Sequence, residues 1–201
     1  MTFLNENPKL IFDNIKELLV LGVKDRSHPF HTPIFTSNNI ENIPNSRIVV
    51  LRNFDDINLI INFHTDFRSP KIKEIQYNNN TCFVFYDPKL KIQLKIQTIT
   101  KINNQNEVTK KIWAKTSLSS RKCYLAINPP SSLSEFPKDS LPVHLKGVDP
   151  CKDESEKGFN NFTVVQNNIK TIEWLYLAAS GHRRLKINIK KNKISFNWLI
   201  P

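Results

Sequence analysis

Apolar residues recur along this chain with two different periods, and the switches between them outline a fold. Over residues 8–23, Leu10, Ile11, Ile15, Leu18 and Leu19 fall on one helical face, with Pro8 where a first helical turn accepts proline. Pro29, Pro33 and Pro44, set among asparagines, make residues 26–44 a loop or an irregular approach to a sheet. The period then shortens. Residues 47–52, 57–64 and 81–86 are β-branched or apolar runs, with a turn at 53–56 between the first two. A short helix over 69–77, closed by Asn78-Asn79-Asn80, precedes the third run. Residues 92–102 alternate apolar with polar, as a strand does when one face is buried and the other wet. Residues 108–127 return to a helical pattern broken near Ser117, and residues 128–158, rich in Pro, Ser, Asp and Lys, show no period. Strands resume over 159–173 and 183–199, the latter a hairpin turning at Lys191-Asn192. Short antiparallel strands with few helices predict a mainly β chain, a small barrel with peripheral helices, forming one domain over residues 1–201.

Composition narrows the chemistry. The formal charge of +11 suits nucleic acid, an anionic membrane or a phosphorylated small molecule. Yet Lys89, Lys91 and Lys95, like Lys186 and Lys190, alternate with apolar residues, as on the solvated face of strands. No zinc finger or RNP-type aromatic pattern occurs, so nucleic acid is not an expected partner. No run is long and apolar enough to span a bilayer, and the N-terminus lacks the pattern of a cleaved leader. Cys82, Cys123 and Cys151 are odd in number and far apart, which predicts neither a disulfide framework nor a metal knuckle and suits a reducing, cytoplasmic setting. His28 and His31 flank Pro29 in a loop, and no metal is expected there. With four glycines, neither a dinucleotide-binding nor a P-loop pattern is present; a Gly-x-Ser-x-Gly elbow, a His-Glu-x-x-His helix and paired carboxylates are missing too.

One stretch invites a ligand. The apolar run 57–63 leads into Phe63-His64-Thr65-Asp66-Phe67-Arg68-Ser69-Pro70-Lys71, with Ser69 as N-cap and Pro70 as first helical residue. Free N–H groups of a helix start, two hydroxyls and a lysine would seat a phosphate; an ordinary strand-to-helix turn would use the same residues. Other polar residues stand at strand ends or inside apolar strands. Arg47 opens the first strand, Gln93 interrupts an alternating one, and Trp174, His182 and Arg184 bracket Ala178-Ala179-Ser180-Gly181. Each has a plain structural explanation: Gln93 on a wet face, Trp174 in a core, Arg184 beside a surface acid.

Taken in order, Arg47-Ile48-Val49-Val50-Leu51-Arg52, the 63–71 stretch, Gln93-Leu94-Lys95-Ile96, residues 174–184 and the terminal Trp198-Leu199-Ile200-Pro201 resemble the pyridoxamine 5′-phosphate oxidase-like group of FMN-binding split barrels. The resemblance covers roughly residues 40–201. It implies a split antiparallel, Greek-key-like barrel and a homodimer holding FMN at the subunit interface. Arg47 and Lys71 should hold the FMN phosphate, with Thr65 and Ser69 donating to it. The backbone of Val49, Val50 and Leu51 should run along the isoalloxazine ring, with Arg52 and His64 in the same cofactor-lining motifs. Gln93 should bond the ring's polar side, Trp174 and Arg184 should reach it from the other subunit, and Ser131 is a further contact.

The resemblance weakens on the substrate side. Where the family's oxidases grip the substrate phosphate with lysine, tyrosine, arginine and serine, this chain has Arg52, Trp113, Ser117 and Arg121, and Ser180 replaces a further arginine. His182 alone is kept. Arginine is not a neutral exchange for lysine, and tryptophan accepts no hydrogen bond. The implied activity is an FMN-dependent oxidoreductase acting on an unidentified small molecule. The alternatives are a true pyridoxamine or pyridoxine 5′-phosphate oxidase and a non-catalytic flavin carrier or sensor. A barrel that has exchanged flavin for haem would have no use for Arg47, Lys71, Gln93 and Arg184.

Overall fold

Asn7 caps the first helix, α1 (Pro8–Lys24), by accepting from the Lys9 and Leu10 N–H groups. The computed structural model of the protein describes residues 6–190 and 193–201. Of the apolar stripe expected for α1, Ile11, Ile15, Leu18 and Leu19 are buried, Phe12 joins them, and Leu10 is instead exposed. Gly22 lets the chain return close to the helix, for a Cβ there would stand 2.9 Å from the Phe30 Cβ. His31 then ties the return down, its Nδ1 lying 2.7 Å from the Gly22 carbonyl.

Among the described residues nine strands follow: β1 (Ile34–Asn38), β2 (Pro44–Ile48), β3 (Asn53–Asp55), β4 (Ile60–Asp66), β5 (Asn80–Asp87), β6 (Ile92–Asn104), β7 (Phe162–Tyr176), β8 (Arg183–Lys190) and β9 (Lys193–Leu199). Their order is β2-β1-β5-β6-β7-β4-β3, with β8 on β7 and β9 on β8, and every pairing is antiparallel. The helix α2 (Pro70–Tyr77) joins β4 to β5. The helices α3 (Glu107–Lys115), α4 (Leu118–Arg121) and α5 (Lys152–Glu156) lie between β6 and β7.

The strand β7 organises the sheet. One edge runs along β6 for almost its whole length, with a bulge at Gln97/Thr98. The other edge forks: its first half, residues 162–168, pairs with β4, and its second half, 171–176, pairs with β8. The barrel closes without a regular ladder. The N–H groups of Val49 and Leu51 donate to the carbonyls of Pro33 and His31, at 3.0 and 2.8 Å, and that of Arg52 donates to Asn62 at 2.9 Å. Residues 49–52 thus bridge the β1 approach and β4. Inside lie the rings of Phe35, Phe63 and Phe83, each fully buried, with centroids 4.8 to 6.2 Å apart.

Three expectations for local structure need correcting. The strand read over 47–52 is split, because residues 49–52 bond to two neighbours in irregular register. The turn read over 53–56 holds β3, and the loop read over 26–44 holds β1 and the start of β2. In β1 the inward positions are Phe35 and Ser37, and an inward serine hides the alternation that marks a strand. The hairpin β8–β9 is present, while its expected turn at Lys191-Asn192 lies outside the described residues.

Candidate cofactor site

The turn between β4 and α2 presents an ammonium group that makes no ion pair among the described residues. Ser69 is the N-cap of α2, but its side chain makes no bond to the helix. It accepts instead from Lys71 Nζ at 2.6 Å, and Thr65 Oγ1 accepts from the same atom at 3.1 Å. Burial, and then the charge of Arg47, push the lysine below its ordinary pKa, with Glu74 and Asp66 opposing. An anion placed here would relieve both effects. Directly across the ladder from Thr65 stands Thr163, whose buried hydroxyl has no partner among the described residues.

Arg47 reaches this corner already paired. Its guanidinium donates to Glu74 Oε2 at 2.7 Å and to Ser37 Oγ at 2.6 Å, and Asn45 Nδ2 donates to Glu74 Oε1 at 2.8 Å. Burial works to raise the Glu74 carboxyl, but these donors outweigh it and hold the group below the usual carboxylate range. Lys71 and Glu74 are both on α2, one turn apart, so the cation facing the hydroxyls and the carboxylate orienting Arg47 share one rigid element. Two cations, two hydroxyls and an orphaned buried hydroxyl fit a phosphate dianion.

Beside this corner runs the barrel's irregular closure. Since the Val49 and Leu51 N–H groups are taken by Pro33 and His31, alternation turns the Val50 peptide to the other edge, toward β4. Among the described residues no backbone bond links Val50 or Leu51 to β4. His64, on the outer side of β4, stacks edge-on against Phe162 with centroids 5.0 Å apart. Burial, and then the nearby Arg52 charge, lower its pKa from 6.5 to about 4. A folded value below the unfolded one means that the stabilisation is complete above pH 6.5 and is lost as pH falls toward 4. At 1.36 kcal/mol per unit the loss is at most about 3 kcal/mol. Urea unfolding at pH 4.5 and 7 should register it, and His64→Leu should flatten the difference; an equal acid loss in both proteins would assign it elsewhere.

At the far end of β7, register places Gln93, Leu175 and Arg184 in one row across three strands. Arg184 is ion-paired with Glu173, which also receives Lys95 Nζ at 3.0 Å. Trp174 is on the opposite face. It is 3 % exposed, lies in register between Leu94 and Leu185, and stacks on Tyr176. Within one chain Trp174 is a core residue, and it does not share a face with Arg184 as a common ring contact would require.

The comparisons with known proteins bear on this geometry. Residues 15–104 match the model of the pyridoxamine 5′-phosphate oxidase FMN-binding domain, a span that includes Arg47, Lys71 and Gln93. Residues 15–104 thus carry an FMN-binding domain of the pyridoxamine 5′-phosphate oxidase-like type. Its cofactor is accordingly FMN. The structure is similar to a pyridoxamine 5′-phosphate oxidase-related, FMN-binding protein of Nostoc punctiforme, with a TM-score of 0.73 at 14 % identity over 94 % of this chain and 96 % of that one. It is equally similar to PhzG of Burkholderia lata, solved with tetrahydrophenazine-1-carboxylic acid, with a TM-score of 0.73 at 15 % identity over 98 % and 95 %. A protein of Clostridium acetobutylicum related to general stress protein 26 follows, with a TM-score of 0.54 at 11 % identity over 96 % and 97 %. These likenesses establish the split-barrel fold. A search of curated proteins by sequence finds no match.

The family's substrate-side positions have a different fate here. Trp113 and Arg121 are buried together with Tyr124, Phe162 and Val164 on the outer face of β4 and β7. Trp113 Nε1 donates to Glu156 at 3.0 Å, and Arg121 donates to Glu156 at 2.6 Å, to Ser155 and to the carbonyls of Trp113 and Thr116. Its plane also lies 4.6 Å from the Trp113 ring. Ser117 caps α4. This set, expected to meet substrate, is closed on itself by a carboxylate that sequence reading did not single out. His182 is exposed in the β7–β8 connection, and Ser131 in the loop after Pro129-Pro130, where it adopts a φ of 68°.

The structure also adds Arg68, which the sequence reading left unassigned. Held by Asp66, it donates to the Ala126 and Ile127 carbonyls at 2.8 and 3.2 Å and so ties the β4–α2 turn to that loop's base. Among the described residues, no group of three metal-ligating side chains occurs, and no helix is long and apolar enough to cross a membrane.

Proposed function

We propose that this protein is an FMN-dependent oxidoreductase that binds its flavin between two copies of the chain and acts on a small molecule lacking a phosphate grip. The observation that carries the flavin part is Lys71, a partly buried cation whose bonded neighbours among the described residues are two hydroxyls, within the matched FMN-binding domain. Bound FMN supplies two-electron chemistry, and the chain supplies binding, orientation and charge. Lys71, Thr65, Ser69 and Arg47 would hold the phosphate. The open edge at Val50 and Leu51, with Arg52 and His64 beside it, would face the ring. Gln93 and Arg184 would meet its polar side. The three free thiols among the described residues suit a reducing, cytoplasmic setting.

The positions of these residues support a site shared by two copies. Thr65 pairs with Thr163 on the inner face of β7, and Arg184 pairs with Leu175 on its outer face. Between those two rungs runs a strand contour of roughly 40 Å at about 3.3 Å per residue. Opposite ends and opposite faces of one wall do not serve one flavin, whereas a second chain brings its Arg184 to the first chain's Lys71. Purified protein should be a yellow dimer that releases flavin on denaturation. A colourless protein that takes up no added FMN sinks the reading, and a yellow monomer sinks the shared site.

The alternative, a true pyridoxamine 5′-phosphate oxidase, meets an obstacle in Glu156. The carboxylate occupies Arg121 and Trp113, leaving Arg52 alone to receive a substrate phosphate. Anaerobic addition of pyridoxamine 5′-phosphate to the FMN-loaded protein should leave the flavin absorbance unchanged. Bleaching within seconds would restore that alternative, while failure of every reductant to bleach the flavin would favour a carrier.

A further inference from the structure

The Arg184–Glu173–Lys95 group lies on the outer face of the barrel, one rung from Gln93. Register sets Lys95, Glu173 and Lys186 side by side on β6, β7 and β8, and sets Gln93, Leu175 and Arg184 on the next rung. Glu173 is the one carboxylate in the two rows, among Lys95, Lys186 and Arg184. Its side chain is only 12 % exposed. Burial works to raise its pKa, and bonds from Arg184 and Lys95 outweigh that effect, so it stays ionised. Arg184 uses Nη2 to bind it, and that is the guanidinium's only hydrogen bond among the described residues. One nitrogen of the guanidinium is therefore anchored, and Nε and Nη1 make no hydrogen bond among the described residues.

We infer that Glu173 is a positioning residue for the flavin site: it fixes the Arg184 guanidinium and offsets part of its charge, and so sets the reduction potential of bound FMN. The inference rests on the reading that Arg184 meets the polar side of the flavin. A cation there favours the reduced, more negative cofactor, and a carboxylate bonded to that cation moderates the effect. Lys95 binds the other oxygen of the same carboxylate, which ties the strength of this control to a residue on a third strand.

The test is the midpoint potential of FMN bound to full-length protein, measured with reference dyes for wild type, Glu173→Gln, Arg184→Gln and the double variant. Glutamine keeps the size and one acceptor of Glu173 and removes its charge. The E173Q potential should rise and the R184Q potential should fall. In the R184Q background, adding E173Q should change the potential little, because the group through which Glu173 acts is gone. An E173Q shift of equal size in both backgrounds overturns the positioning role, and so does an unchanged potential in a protein that binds FMN normally. Failure of the wild type to take up FMN overturns the flavin reading instead, and this inference falls with it. Melting temperatures of the apo proteins separate loosening of the sheet, which the potential of a fully loaded sample does not report.

Discussion

Replacing Lys71 with methionine should weaken FMN binding by roughly 10- to 100-fold, the equivalent of one charge-assisted hydrogen bond of about 1.5–3 kcal/mol. The same substitution should leave the apo protein as stable or more so. Lys71 is held below its ordinary pKa by burial and by Arg47, so the folded chain gains by losing that charge when no anion is present. Opposite signs for apo stability and cofactor affinity distinguish a ligand-directed cation from a structural one. Fluorescence titration with FMN and thermal melts of the apo protein give the two readings. Unchanged affinity would remove Lys71 from the phosphate site. Lys71→Arg should fall in between, since it keeps the charge but changes the direction of the donors toward Thr65 and Ser69.

Replacing Glu74 with alanine should cost about 3–5 kcal/mol, because it strands a partly buried guanidinium and removes the acceptor of Ser37 and Asn45 as well. That is a large share of the 5–15 kcal/mol typical of a domain. Glu74 titrates below the usual carboxylate range when folded, so its contribution is complete above the unfolded value and is lost as pH falls through the folded one. Urea unfolding at pH 7 checks the magnitude, and a loss under about 1 kcal/mol would mean that the pair is solvated. The double variant Arg47→Leu, Glu74→Leu should recover much of the stability while FMN affinity stays low. Arg47 would then serve the ligand, and Glu74 would hold it ready.

The fold was legible wherever burial and period coincide. The α1 stripe, the β5 and β6 alternation and the α2 cap with Ser69 followed from apolar spacing and from proline placement. It was illegible where an inward position is polar. Ser37 is inward and bonded to Glu74, which concealed β1, and closure by single bonds at 49–52 broke a run that looks continuous in sequence. For the site, the turn at 63–71 carried its own signal, a hydroxyl-Pro-Lys helix start after an apolar strand. The plain explanations offered for two other residues describe their place in one chain: Trp174 lies in the core and Arg184 beside an acid. Glu156 gave no signal at all. It sits in a polar stretch without period, and only the packing of α5 against α3 and α4 brings it to Arg121 and Trp113.

The forked edge of β7 also sets when the proposed phosphate corner can be completed. Residues up to Lys71 contain most of the phosphate corner, yet β4 has no neighbour on its β7 side until residues 162–168 have been synthesised. Thr65 and Thr163 are joined by one of the most distant pairings in the chain, and such contacts form slowly because a long loop must close first. On the ribosome the turn therefore emerges early as an unsupported hairpin end, with its lysine solvated and its hydroxyls unaligned. With the FMN phosphate seated at this corner as proposed, loading waits for the second half of the chain, and protein translated in riboflavin-starved cells should accumulate as a closed, colourless barrel competent to take up FMN afterwards.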